Sequence, residues 1–260
     1  MNAPLLVTGG TGNIGSRVVP LLRAAGRDIR IVSRHARPDV PAIQHVVADT
    51  VAGDGLAAAL DGVDVVLHLA GGAKGDDIAA RNLARGAREA GVKHLVLISV
   101  IGADRMPIGY FRAKAAAEQA IAESGVPWTV LRAAQLHDFV LPVARSMARM
   151  PILPVPGGLR FEPVDGDEVA ARLAELALGA PAGRVADLAG PEVLDVTQLV
   201  SAFRDATGAG LRRGRLPIRL PGGIGRAYRA GDNLAGPDAQ RGSGTWKSYL
   251  DKPQTALIKA

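Results

Sequence analysis

The chain has 260 residues, 48% of them hydrophobic and 22% charged, with 31 Lys and Arg against 25 Asp and Glu and a formal net charge of +6. That length buries roughly 70–75% of the unfolded surface in a core, and the composition is that of a globular chain rather than a disordered one. It contains no cysteine, which excludes a disulfide scaffold, a thiolate metal site and a cysteine nucleophile.

The positive charge admits a nucleic acid, a membrane surface or an anionic small molecule. No run approaches the ~18 apolar residues of a membrane span, and no secretory leader pattern precedes the first strand. Aromatic residues are only 3% of the chain and do not cluster with the arginines, as single-strand binding would require. The expectation is therefore a cytoplasmic protein with a small-molecule substrate and neither nucleic acid nor membrane as partner. Monomer and homodimer are not distinguished.

In chain order, Leu5 to Thr8 reads as a strand and Ser16 to Ala25 as a helix stopped at Gly26. Strands are predicted at Ile29 to Ser33 and His45 to Val47, a short helix at Gly55 to Leu60, and an apolar strand at Val63 to Leu69. A helix over Ile78 to Ala90 leads to a strand at His94 to Ser99. A longer helix over Tyr110 to Glu123 leads to a strand at Trp128 to Leu131. Apolar strands alternating with helices imply βαβ units and a parallel sheet covered on both faces.

After Met150 the pattern changes. Pro151, Pro154, Pro156, Gly157 and Gly158 mark a connection that suits neither a regular helix nor a central strand. Helices follow at about Asp167 to Leu178 and Thr197 to Thr207, with an apolar piece at Val185 to Leu188 and a final turn near Trp246. Two domains are expected, residues 1–150 and a smaller lobe, residues 151–260.

Thr8-Gly9-Gly10-Thr11-Gly12-Asn13-Ile14-Gly15 lies between the first strand and the first helix. Glycines there permit a tight turn, close backbone approach to a pyrophosphate and close helix–strand packing. The helix N-terminus adds free donors and a positive dipole end. Gly9, Thr11, Gly12, Asn13, Ile14 and Gly15 are accordingly candidate dinucleotide-binding residues. An acid at the end of the second strand would hold the ribose hydroxyl of NAD. The chain has instead Ser33-Arg34-His35 with Arg37 nearby, which suits a 2′-phosphate and favours NADP(H) over NAD(H). Asp49 is expected near the adenine, and Ala70, Gly71 and Gly72 beside the pyrophosphate and ribose.

Ser99 closes the fifth strand, while Tyr110 and Lys114 share one face of the next helix at a spacing of four. An ammonium near the phenol would lower its pKa from ~10 and fit it for acid–base work on a carbonyl or alcohol. Ser99 would bond the same substrate oxygen, and Lys114 would also hold the nicotinamide ribose.

The glycine turn, Gly91-Val92-Lys93-His94-Leu95-Val96, Gly102-Ala103-Asp104, the Tyr110 to Glu118 stretch and Ser124 to Arg132 resemble short-chain dehydrogenase/reductases. Together they are similar to the atypical, NmrA-like NAD(P)-binding branch. The likeness extends to Phe161 to Asp165 and Ala189 to Glu192 but is looser there. It implies a Rossmann-type doubly wound α/β sheet with NADPH at its switch point and a smaller C-terminal substrate lobe. It also implies catalytic roles for Ser99, Tyr110 and Lys114, and a proton-relay role for Asn82. The Ser99–Tyr110 interval of eleven residues is shorter than is usual in the classical enzymes.

His137-Asp138-Phe139 would point to the substrate side, as a proton-transfer pair or, more simply, a loop cap or surface pair. Leu141, Val143, Met147 and Met150 would form core or a pocket wall. The late arginines, Arg204, Arg212, Arg213, Arg215, Arg219, Arg226 and Arg229, fit a solvated basic face or an anionic ligand. The five histidines show no metal-ligand spacing, so no metal is expected. The expected activity is NADPH-dependent reduction of a carbonyl, quinone or activated alkene. A non-catalytic NADP(H)-binding redox sensor is the alternative, and an epimerase or dehydratase borrowing the cofactor is a third.

Overall fold

The computed structural model describes residues 3–72, 75–208 and 214–252. The elements in chain order begin with β1 (Leu5–Thr8), α1 (Gly15–Ala24), β2 (Ile29–Ser33), β3 (Ile43–Val47), α2 (Leu56–Leu60) and β4 (Val65–His68). There follow α3 (Asp76–Glu89), β5 (His94–Val100), α4 (Gly109–Ala122), β6 (Trp128–Ala133), α5 (His137–Ala148), β7 (Ile152–Pro156) and β8 (Arg160–Phe161). The remainder is α6 (Gly166–Leu178), β9 (Gly183–Arg184), β10 (Leu188–Ala189), β11 (Leu194–Asp195), α7 (Val196–Thr207), β12 (Gly214–Ile218), α8 (Gly222–Ala230), β13 (Gln240–Arg241) and α9 (Trp246–Leu250).

Two compact units interleave along the chain, so a single division at residue 150 does not describe them. One comprises Met1–Ser99, Gly109–Arg132 and Val169–Val185, the other Val100–Ile108, Ala133–Glu168 and Ala186–Ala260.

In the first unit the strands lie in the order β6-β5-β4-β1-β2-β3. The pairs β3–β2, β2–β1, β1–β4 and β4–β5 are parallel. Leu5, Leu6 and Val7 are all fully buried, which a strand achieves only when both sheet faces are covered. Leu6, Val66 and Leu95 join Leu60 of α2, Leu83 of α3 and Ile121 of α4 in one core. This is the Rossmann-type α/β fold, with its switch point between β1 and β4, where the strand order reverses. Arg132 donates from Nε and Nη2 to the two oxygens of Glu118 at 2.8 and 2.7 Å, tying β6 to α4.

The second unit is less regular. Helices α5, α7 and α9 enclose Trp246, Phe203 and Leu153, and the Trp246 Nε1–H donates to Leu199 O at 3.1 Å. The Asp195–Gln198 capping box starts α7 by satisfying two orphan N–H groups at once. β7 pairs in parallel with β12, a two-stranded setting that tolerates Pro154 and Pro156 as a central strand would not. Helices α5 and α8 are not predicted from sequence. Pro142 interrupts the first, and Gly222, Gly223 and Gly225 weaken the second.

Candidate active site

β1 delivers the chain into the glycine turn with Gly9 at φ +70°, in the left-handed region. A Cβ on Gly9 would stand 2.7 Å from Ala70 N, and one on Gly15 would stand 2.2 Å from Gly9 O. The first glycine therefore admits the β4 end, and the last lets α1 begin against the turn. Gly12 N donates to Gly9 O at 2.9 Å. No side chain caps α1 and no acid lies in its first turn, so its positive end is uncompensated. Asn13 O accepts bonds from Ser16 Oγ and Arg17 Nη1 at 3.0 and 2.9 Å, and Arg17 also meets Asn13 Oδ1. Ile14 is buried.

A cleft of about 670 Å³ opens at the strand ends of this unit. Thr8, Gly9, Thr11 and Gly12 line one side, and Ser33, Arg34, His35 and Arg37 another. Asp49, Ala70, Gly71, Gly72 and Asp76 complete the part relevant here. The structure thus gathers most of the expected cofactor residues around one cavity. Asn13, Ile14, Gly15 and Lys114 are not in its lining.

Several side chains have tasks the sequence does not reveal. Asp49 Oδ1 accepts from Val51 N and Ala52 N at 2.7 and 3.1 Å. These backbone bonds, helped by Arg34, hold its carboxyl below the ordinary carboxylate value. Ser33 Oγ accepts from His35 N at 3.2 Å, which shapes the turn carrying Arg34. Asn82 Nδ2 donates to Thr50 O and Val51 O at 3.1 and 2.8 Å. That amide ties the loop after β3 to α3, a structural role in place of the expected proton relay.

The cleft floor holds a buried polar network. Thr8 Oγ1 accepts from Ala70 N at 3.2 Å and lies 2.6 Å from His68 Nδ1. Which of the two donates follows the imidazole tautomer, since the hydroxyl can both give and accept. Burial, and secondarily the Lys114 charge, lower the His68 pKa from 6.5 to about 4, so this imidazole is neutral. Asp76 opens α3, accepts from Gly72 N at 2.7 Å through Oδ1, and pairs with Lys114 Nζ at 2.8 Å through Oδ2. A Cβ on Gly71 would meet Lys114 Nζ at 2.9 Å, so the ion pair lies directly behind the cleft wall. Sequence reasoning missed Thr8, His68 and Asp76. The one signal for Asp76 was an acid in a helical first turn directly after a glycine-rich strand end.

This pairing corrects the expectation for Tyr110. Lys114 is committed to Asp76, and the phenol pKa is raised rather than lowered, by burial and then by the Asp76 charge. Tyr110 remains 39% exposed, with its ring edge-on to Phe111. At neutral pH it is a phenol and can give a proton. Ser99 Oγ is buried at the end of β5 without a hydrogen-bond partner, an orphan of the kind that a bound oxygen satisfies.

His137 is neither a loop cap nor a surface partner. It starts α5 and is fully buried, with its ring centroid 5.7 Å from that of Trp246 and 4.8 Å from that of Tyr249. Burial lowers its pKa to about 4, and neither ring nitrogen has a partner. Among the described residues no group of three or more His, Asp or Glu could hold a metal ion. Arg212 and Arg213 lie outside the described residues.

Residues 9–148 match the family model described as NAD(P)H-binding. The chain is 31% identical over 217 residues to a (4-alkanoyl-5-oxo-2,5-dihydrofuran-3-yl)methyl phosphate reductase of Streptomyces griseus, covering 80% of this chain and 75% of that protein. It is 29% identical over 216 residues to an NAD(P)H azoreductase of Xenophilus azovorans, with coverage of 80% and 75%. Its fold is similar to that of an NADPH-dependent quinone oxidoreductase from Escherichia coli solved with NADPH. That match has a TM-score of 0.76 and 21% identity, covering 98% of this chain and 99% of that one. A glycine turn against an open helix end, at the switch point of a parallel sheet, agrees with the sequence match: the chain belongs to the NAD(P)H-binding family.

Proposed function

We propose that this NAD(P)-binding oxidoreductase uses NADPH to reduce a carbonyl, quinone or activated alkene of a small molecule, with Tyr110 as proton donor. We place it in the atypical, NmrA-like branch of the short-chain dehydrogenase/reductases. The observation that carries the reading is the cleft at the β1/β4 switch point, with Arg34 and Arg37 in its lining. The glycine turn fits a pyrophosphate, because the α1 N-terminus behind it has no side-chain cap and no acid in its first turn. A bound dinucleotide supplies the two reducing electrons.

The chain's own residues supply binding, orientation and the proton. The α1 N-terminus holds the pyrophosphate, which Gly12 lets approach for want of a side chain, while Ser33, Arg34 and Arg37 hold a 2′-phosphate by charge-assisted bonds. Ala70, Gly71 and Gly72 keep the ribose side of the cleft free of side chains. Ser99 Oγ orients the substrate oxygen and Tyr110 protonates it. Lys114, held by Asp76, stiffens the wall behind Gly71. The reductases among its relatives favour this enzyme over a non-catalytic sensor.

NADPH oxidation against a panel of quinones, ketones and enones, in wild type and Tyr110→Phe, tests the reading. A general acid contributes about 10²- to 10⁴-fold, so kcat should fall by that order while NADPH affinity is retained. Turnover unaffected by the change removes Tyr110 from the mechanism. Tight NADPH binding with no acceptor turned over supports the sensor instead.

A further inference from the structure

One acid in the cleft wall has acceptor capacity that the protein does not use up. Asp76 lines the cleft while Lys114 does not, and the two form a buried ion pair at 2.8 Å between Oδ2 and Nζ. The Gly72 N–H donates to Oδ1. Oδ2 is buried and, apart from the ion contact, has no hydrogen-bond partner, although a carboxylate offers about four acceptor positions. Gly71 also lines the cleft, and a Cβ there would stand 2.9 Å from Lys114 Nζ and 3.3 Å from Asp76 Oδ2. The wall at Gly71 is thus thinned to bare backbone against the pair.

Two electrostatic couplings mark which end of the cleft this is. Arg34, the candidate for the 2′-phosphate, acts on Asp49, after the backbone bonds to that carboxyl. Asp76 acts instead on Tyr110, whose pKa is raised by burial first and by this charge second. Asp76 therefore belongs to the end where the proton donor works. The sugar at that end of a bound dinucleotide is the nicotinamide ribose, whose hydroxyls are unmodified.

We propose that the Asp76 carboxylate is a cofactor-binding group that accepts hydrogen bonds from the nicotinamide-ribose hydroxyls, with Lys114 behind it as counter-ion. Hydroxyls donate and a carboxylate only accepts, which is why dinucleotide folds use an acid for the other ribose. An uncompensated acid would repel the phosphates of the same ligand. The Lys114 ammonium cancels that charge at close range without entering the cleft. This moves the ribose contact expected of Lys114 to a residue that the sequence did not single out. It rests on the NADPH reading of the cleft.

Calorimetric titration of the full chain tests it with NADPH, with an NADPH analogue carrying hydrogen in place of both nicotinamide-ribose hydroxyls, and with 2′,5′-ADP, which has no second ribose. Wild type should bind NADPH roughly ten- to hundredfold more tightly than the analogue, the worth of hydrogen bonds to a charged group. Asp76→Asn, whose amide oxygen can keep the Gly72 bond, should bind NADPH and the analogue alike and bind 2′,5′-ADP as wild type does. Equal affinity of wild type for NADPH and the analogue overturns the proposal, even where the variant fails to fold. So does an Asp76→Asn protein that keeps the wild-type preference, because the hydroxyls then meet another residue. Loss of 2′,5′-ADP as large as the loss of NADPH in that variant overturns it too, because the wall has then collapsed. Failure of wild type to bind either NADPH or 2′,5′-ADP refutes the cofactor reading and this proposal together, an outcome distinct from the others.

Discussion

Asp76 on α3 and Lys114 on α4 form an ion pair at 2.8 Å with side chains only 6% and 8% exposed. The Gly72 N–H donates to the same carboxylate, so one acid anchors both the lysine and the cleft wall. Removing either partner strands a buried charge, which costs about 3–5 kcal/mol. Asp76→Ala should therefore lower unfolding free energy by about that amount in urea titrations. The double variant Asp76→Leu with Lys114→Met should recover most of the loss, since well-packed apolar pairs commonly match buried ion pairs. A double variant as unstable as the single one would show that the pair does more than neutralise itself.

The buried His137 gives stability a pH dependence whose sign follows from its surroundings. Its folded pKa of about 4 lies below the ordinary 6.5, so the unfolded chain binds the proton first. The neutral ring's full contribution is present above about pH 6.5 and is lost progressively as pH falls towards 4. Phenylalanine keeps the aromatic contacts with Trp246 and Tyr249 without titrating. His137→Phe should reduce the difference in unfolding free energy between about pH 7 and about pH 5 by roughly 2 kcal/mol. An unchanged difference would mean that His137 titrates alike in the folded and unfolded chains.

Two glycines of the first turn should fail differently. Alanine at Gly15 places its Cβ on the Gly9 carbonyl, whereas alanine at Gly12 approaches that oxygen only to 3.2 Å. Gly15→Ala should cost about 1–3 kcal/mol by overpacking and weaken NADPH with it. Gly12→Ala should keep its melting temperature and lose cofactor affinity, because the methyl occupies the approach to the pyrophosphate. Calorimetry paired with NADPH titration separates the two, and a shared loss of stability would contradict the assignment.

Arg34 and Arg37 bear on cofactor choice. Hydrogen bonds to charged groups are worth about 1.5–3 kcal/mol, so Arg34→Ala should weaken NADPH roughly ten- to hundredfold and leave NADH little changed. Equal losses for both dinucleotides would remove Arg34 from the 2′-phosphate.

Much of this architecture is legible in the residues. The fully buried strands read as apolar runs, and the glycine turn reads as a strand-to-helix junction, because both depend on local pattern. Leu5 to Thr8 and Ile29 to Ser33 were predicted with the bounds observed. Other elements were obscured by local chemistry that packing overrides: α5 forms around Pro142, and α8 forms despite three glycines, its Ala227 being buried.

The sequence by itself determined the parallel α/β sheet, the glycine turn and the arginines at the end of β2, because backbone propensity and side-chain period act over a few residues. Only the tertiary structure decided the state of the tyrosine. Asp76 and Lys114 are distant in the chain, and their meeting neutralises the ammonium expected to lower the Tyr110 pKa. The surplus of +6 divides in the same way. Lys114 is compensated inside the protein, Arg34 and Arg37 line the cleft, and Arg215 and Arg219 are exposed on the surface. Charge counts are additive along a chain, but what each charge does depends on the dielectric and the partner that folding gives it.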